Sequence, residues 1–289
     1  MSAFTNDPSL TVNKIMVDSR FRNPSSRSDT DFSIDLPESV YLPVGTHCYV
    51  TDVSFVHAWY TIEKDTNDKL YCTFQHGQNK YDEIIVLDSR NYNLDTLVDE
   101  LQIKFSAMIA TAPIWLQLLF SAQVTANPDR GTLSIINTMV TLDSFYIWSD
   151  VDLKNETFFK GWNGAYYDPF NPQSINRLIK NYVTPKNNTY KPFVSGFVDT
   201  ITHHNIYIKS PQLGSFQNIG PQGERDVLKK VLVNVPFGQL VTDEWIHSED
   251  FTDCSRITLR TLNVRITDVN NNIINLNGHH ISFSLVFTT

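Results

Sequence analysis

Two alternating runs near the carboxyl end of the chain constrain its fold more than any other feature. Ile257, Leu259, Thr261, Asn263 and Arg265 alternate with Thr258, Arg260, Leu262, Val264 and Ile266. Beyond the polar stretch 268–272, Ile281, Phe283, Leu285 and Phe287 alternate with His280, Ser282, Ser284 and Val286. Successive side chains of a strand point to opposite faces, so a period of two marks half-buried strands. Two such runs around Asp268-Val-Asn-Asn-Asn272 read as an antiparallel hairpin. This texture belongs to an all-β scaffold.

The same texture runs through the beginning of the chain. Residues 1–13 are polar and patternless, an N-terminal arm. Lys14–Ser19 is a short strand. Phe32, Ile34 and Leu36 form a half-buried strand that stops at Pro37, and His47–Phe55 is the next, running toward Trp59–Ile62. Then the period changes. Leu94, Leu97, Val98, Leu101 and Phe105 fall on one helical face, with Asn93 as N-cap and Asp95 in the first turn. Around this one clear helix lie strands at Leu70–Phe74, Asp82–Leu87, Leu116–Val124, Thr132–Ile136 and Ser144–Trp148, an α+β module. A short helix is expected near Ser174–Ile179, and strands return at Phe193–Ile201, Asn205–Lys209 and Val227–Val235. The arrangement expected is discontinuous. Residues 14–62 and 190–289 share one β domain, 63–165 form an inserted module, and 166–189 connect them.

Composition narrows the function. A net charge of -8 and a pI near 5.4 argue against a dedicated nucleic-acid surface, which needs clustered Lys and Arg. No apolar run approaches the roughly 18–20 residues that span a bilayer, and the first residues lack the pattern of a signal peptide. Cys48, Cys72 and Cys254 are widely spaced, which suggests synthesis in a reducing compartment, cytosol or nucleus. In such a protein the sequons at Asn155 and Asn187 are chance matches.

Catalytic signatures are sparse. His203-His204 and His279-His280 invite a metal, but neighbours on a strand face opposite ways and no carboxylate stands at ligand spacing; hydrogen-bonding or surface histidines are the expected reading. Gly220-Pro-Gln-Gly-Glu-Arg-Asp226 lacks the Gly-Lys-Ser/Thr of a phosphate loop. Ser19, Ser195 and Ser210 have no nucleophile-elbow context. The basic stretches Arg20–Arg27 and Lys229-Lys230 suit solvated loops or subunit ion pairs. No cofactor, metal or catalytic residue is expected.

Several stretches, taken together, resemble one family. They are Val17–Phe21, Ser28–Pro37, Leu42–Ile62, Asn91–Leu97, Ile206–Phe216 with Ile219–Lys230, and Ile274–Phe287. The set is similar to the minor capsid (penton) protein of Polinton/Maverick elements, adintovirus-like DNA viruses, with virophage pentons as more distant relatives. The resemblance implies a mainly β protein: a single jelly-roll β-sandwich with an inserted α+β module. It implies a structural virion protein, forming homopentamers at the five-fold vertices of an icosahedral capsid, ringed by a double-jelly-roll major capsid protein. It also leaves room for a host receptor on the inserted module. Large cyclic contacts use aromatic anchors, and Trp59, Tyr60, Trp162, Tyr166, Tyr167 and Phe170 are the subunit-interface candidates. Two other readings stay open: an attachment protein of fibre-head type, and a jelly-roll enzyme of cupin or glycosidase type.

Overall fold

The computed structural model describes residues 12–139, 142–155, 173–184, 191–215, 218–245 and 250–289. The chain starts with strands β1 (Lys14–Asp18), β2 (Asp31–Leu42) and β3 (His47–Val56). Then come β4 (Lys69–His76), β5 (Asn79–Val86) and helices α1 (Leu94–Thr111) and α2 (Ile114–Leu119). These lead to β6 (Ala122–Asn127), β7 (Thr132–Asn137), β8 (Ser144–Ile147), α3 (Asp150–Asn155), α4 (Asn176–Ile179) and β9 (Phe193–Val194). The path returns with β10 (Asn205–Lys209), β11 (Val227–Leu232) and β12 (Leu240–Asp243). It finishes with β13 (Thr252–Asp253), β14 (Ile257–Thr267) and β15 (Ile281–Thr288).

Two compact units result: residues 1–59 with 203–289, and residues 60–202. The expected limits at 62 and 190 differ from these, for a packing reason. Ile62 and Phe193 are buried in the second unit's core, and Phe193 pairs with Ile135 of β7. The first unit therefore closes at Trp59 and resumes at His203.

Among the described residues the first unit holds two antiparallel sheets, β1-β15-β3-β12, with β13 also on β3, and β11-β10-β14-β2. With its eight principal strands counted along the chain, the first sheet reads one-eight-three-six and the second five-four-seven-two. That is the strand order of a jelly roll. Val17, Val50 and Phe55 from the first sheet share one core with Ile206, Ile208, Leu262 and Val264 from the second. Each such side chain contributes about 1.5–3 kcal/mol when withdrawn from water.

The expected terminal hairpin is corrected here. It begins as one: Thr267 bridges Ile273, and Ile274 N donates to Ile266 O at 3.1 Å. The strands then part. β14 joins β2 and β10, whereas β15 lies between β1 and β3 in the other sheet. Alternation fixes which face is buried but not which strand is the neighbour, so a sandwich corner and a hairpin share one sequence signature. The register of β14 on β2 slips between Leu259 and Thr261. This bulge lets Leu259 and Leu262, of opposite parity, both enter the core.

β2 does not stop at Pro37 either. Among the described residues β2 is an edge strand that pairs only with β14, and Pro37 falls where the register slips, so its missing N–H breaks no ladder bond. The opposite edge, β11, carries an inward lysine. Lys229 is buried, and its Nζ donates to Val50 O at 3.2 Å and Trp245 O at 2.6 Å, with Asp243 Oδ1 at 3.2 Å. A charge turned inward discourages another chain from extending that edge.

In the second unit, β5-β4-β8 and β6-β7-β9 form two small sheets. Asn93 caps α1: its Oδ1 accepts from Thr96 N at 2.8 Å, and Thr96 Oγ1 accepts from Asn93 N at 3.0 Å. Leu97, Leu101, Phe105 and Met108 are its buried face. They meet a ring cluster in which Phe74, Phe120 and Phe145 lie 4.7–5.2 Å apart by centroid. The strand expected over Leu116–Val124 is instead helix α2 followed by β6. Pro113 precedes the helix, and Leu116 and Phe120, four residues apart, are both fully buried. A run this short and apolar fits either period. The strand expected at Phe193–Ile201 reduces to Phe193–Val194. Near α3 and α4, Asp150 Oδ1 accepts from Ser174 Oγ and from Asn176 Nδ2, the latter at 2.7 Å. Asn176 Nδ2 also donates to Trp148 O.

Candidate functional site

The first unit brings Ser19, His280 and Asp29 together, and their geometry is not that of a nucleophilic triad. His280 Nδ1 lies 3.1 Å from Asp29 Oδ1 and 3.4 Å from Ser19 Oγ, so one ring nitrogen faces both partners. A triad needs the two nitrogens divided between acid and nucleophile. Ser19 is moreover fully buried, and its Oγ accepts from Ile281 N at 3.1 Å. The cluster fastens the turn after β1 to the start of β15. The arginines nearby are paired within the chain, Arg20 with Asp18 and Arg22 with Asp29, and Arg20 holds the Asp18 carboxyl below its usual range.

The glycine loop is filled by its own glutamate. Gly220 N donates to Glu224 O, and Gln222 N to Glu224 Oε2, both at 2.7 Å. The loop's N–H groups are thus taken up within it, that of Gln222 by the Glu224 carboxylate and that of Gly220 by the Glu224 backbone carbonyl. Glu224 is anchored by Lys209, fully buried, whose Nζ reaches Glu224 Oε1 at 2.7 Å and Asn271 Oδ1 at 3.0 Å. That contact holds the Glu224 carboxyl below its ordinary range. Lys209 and Lys229 both work as internal clasps. For Lys229 this corrects the expectation of a solvated or intersubunit charge.

His203 flanks Trp59. The Trp59 ring lies 4.3 Å from His57 and 5.7 Å from His203 by centroid. Burial pushes both histidines below their usual pKa, and His57 Nδ1 lies 2.8 Å from Val235 O. Among the described residues no three His, Cys, Asp or Glu side chains are grouped to hold a metal ion, and no helix is long and apolar enough to cross a membrane.

Of the six aromatic interface candidates, Trp59 is 1% exposed and packs in the first unit's core, so its ring is no surface anchor. Tyr60 is half-buried at the start of the second unit. Trp162, Tyr166, Tyr167 and Phe170 lie outside the described residues. The structure presents other apolar side chains instead. At the β1 edge, Met16 is 81% and Phe21 76% exposed; at the β12 edge, Leu240 is 55% and Trp245 79% exposed. Three strand spacings, about 14 Å, separate the two edges. A shallow groove of about 190 Å³, lined by Asp18, Arg20, Ser54, Val56, Leu240 and His280, crosses the sheet between them. The backbone of Trp245 is fixed on both sides, its N–H by Asp243 at 3.0 Å and its carbonyl by buried Lys229. Sequence reading missed these residues because exposure of an apolar side chain leaves no periodic mark.

No protein-family model matches the chain, and no curated protein matches it. Among solved structures the chain is similar to the selenomethionine-labelled mavirus penton protein, with 10% identity and a TM-score of 0.49. The match covers 95% of this chain and 98% of that one.

Proposed function

We propose that this protein is a minor capsid protein of the Polinton/Maverick kind: a penton that assembles as a homopentamer at the five-fold vertices of an icosahedral shell. It is then a virion component that meets the double-jelly-roll major capsid protein around it. The inserted unit, with Tyr60 and the 162–170 aromatics, offers further contacts, including to a host receptor. The observation that carries the reading is the jelly-roll order combined with two different apolar patches on opposite edges of one sheet. A ring needs a heterologous contact, one surface of a subunit meeting a different surface of the next. Met16 and Phe21 on one edge and Leu240 and Trp245 on the other meet that need. The sequence stretches that resemble Polinton pentons favour this use of a jelly roll over its enzymatic ones.

Light scattering of the purified chain over a dilution series, followed by imaging, tests it. A five-subunit mass with five-fold views is expected, lowered toward monomer by Trp245→Glu. A trimer that binds a receptor favours attachment. A monomer that stays monomeric with the major capsid protein and builds no shells overturns the reading.

A further inference from the structure

Cys48, Cys72 and Cys254 are free and buried. Two of them share a corner of the first unit. β13 pairs with β3 so that Thr252 stands opposite Cys48 and Asp253 opposite His47. The contact continues one residue further: Cys254 N donates to Thr46 O at 3.0 Å, and Cys254 Sγ lies 3.5 Å from the same oxygen. Cys48 and Cys254 are thus diagonal neighbours across the ladder. Residues two apart on a strand share a face, so both side chains enter the same core. There the neighbouring Cys254 thiol and burial together hold the Cys48 thiol far above its usual range.

We infer that Cys48 and Cys254 are a latent disulfide site, closed by a small peroxide when the protein meets oxidising surroundings. Diagonal Cα atoms stand about 7–8 Å apart, and a disulfide wants about 4.4–6.8 Å. Closure takes a backbone shift, which falls on Cys254, the residue just after β13, whose N–H still bonds Thr46 O. Access comes through β13, two residues long and easily opened. When β13 opens, one thiol of the pair meets water and gives up its proton; the thiolate attacks the peroxide O–O bond, becomes a sulfenic acid and releases hydroxide, which takes up that proton as water. The second sulfur attacks the sulfenic sulfur, the S–S bond forms, and the sulfenic hydroxyl leaves as water with the remaining thiol proton. Two thiols and one hydrogen peroxide become one disulfide and two waters, with two electrons passed to peroxide oxygen. The bond ties β3 of one sheet to the segment that enters β14 of the other.

The test uses the folded full chain, hydrogen peroxide, and alkylation under denaturing conditions. After oxidation Cys72 alone takes the label, prior reduction restores label at all three cysteines, and non-reducing digestion yields the Cys48 peptide joined to that of Cys254. The thermal midpoint rises on oxidation and falls back on reduction. In Cys254→Ser, Cys48 still labels after the same treatment. The inference is overturned if all three cysteines label without reduction, if the lost label cannot be recovered by reduction, or if the bridges join separate chains.

Discussion

The two units bury their apolar surface by opposite routes. In the second, neighbours along the chain are neighbours in space: β4 pairs with β5, β6 with β7, and α1 closes over a cluster of phenylalanines. In the first, neighbours in space are far apart along the chain. β1 pairs with β15 and β2 with β14, across more than two hundred residues. Local pairing makes a unit that stands by its own sequence. Distant pairing makes one in which β1, β2 and β3 all depend on strands from the other part of the chain.

Deletion of residues 281–289 tests this contrast with the largest effect. β15 is an inner strand between β1 and β3, so its loss is expected to unfold the first unit entirely. Hydrogen exchange then shows open amides in β3 and β14 and retained protection in α1. Loss of protection in α1 as well breaks the comparison.

Phe105→Ala strikes the other side. Phe105 is fully buried among Phe120 and Phe145, and its truncation is expected to destabilise the second unit by about 3–5 kcal/mol. Denaturant unfolding followed through α1 exchange registers the change, with β14 unmoved. Lys229→Met removes the clasp on Trp245 and leaves Asp243 without its buried cation. A loss of about 2–4 kcal/mol is expected in the first unit alone. An unchanged unfolding midpoint contradicts the clasp.

Acidification gives the smallest effect, again confined to the first unit. Burial lowers the folded-state pKa of His57 and His203 below the ordinary 6.5. The unfolded chain therefore takes up protons where the folded one does not. This stabilisation is complete above about pH 6.5 and fades as pH falls toward the folded values. Midpoints measured at about pH 7.5 and about pH 5.5 are expected to fall in β14 with little change in α1; the reverse order contradicts the assignment.

The same contrast explains what the sequence made legible. α1 was readable down to its cap, because Asn93 and Thr96 act on each other within one turn. β3 and β15 were readable as half-buried strands. Their partners were not, since alternation records a buried face and nothing about who covers it; hence the hairpin that proved to be a corner between sheets. Ile114–Phe120 was ambiguous because its six apolar residues, interrupted by Gln117 alone, satisfy both periods. Among site residues, Trp59 was singled out for its ring, yet a ring looks the same in sequence whether it lies in a core or on a surface. Trp245 was passed over because its exposure depends on a lysine sixteen residues earlier that holds its backbone.

The inner position of β15 also sets a clock. A ribosome delivers the chain in order, at about 5–20 residues per second. Residues 60–202 emerge whole while β1 and β3 still lack the strand that joins them. The β1 edge has no place in that sheet until residue 288 is available, because β15 lies between β1 and β3. Translation itself therefore times the moment at which a single subunit carries both edges at once.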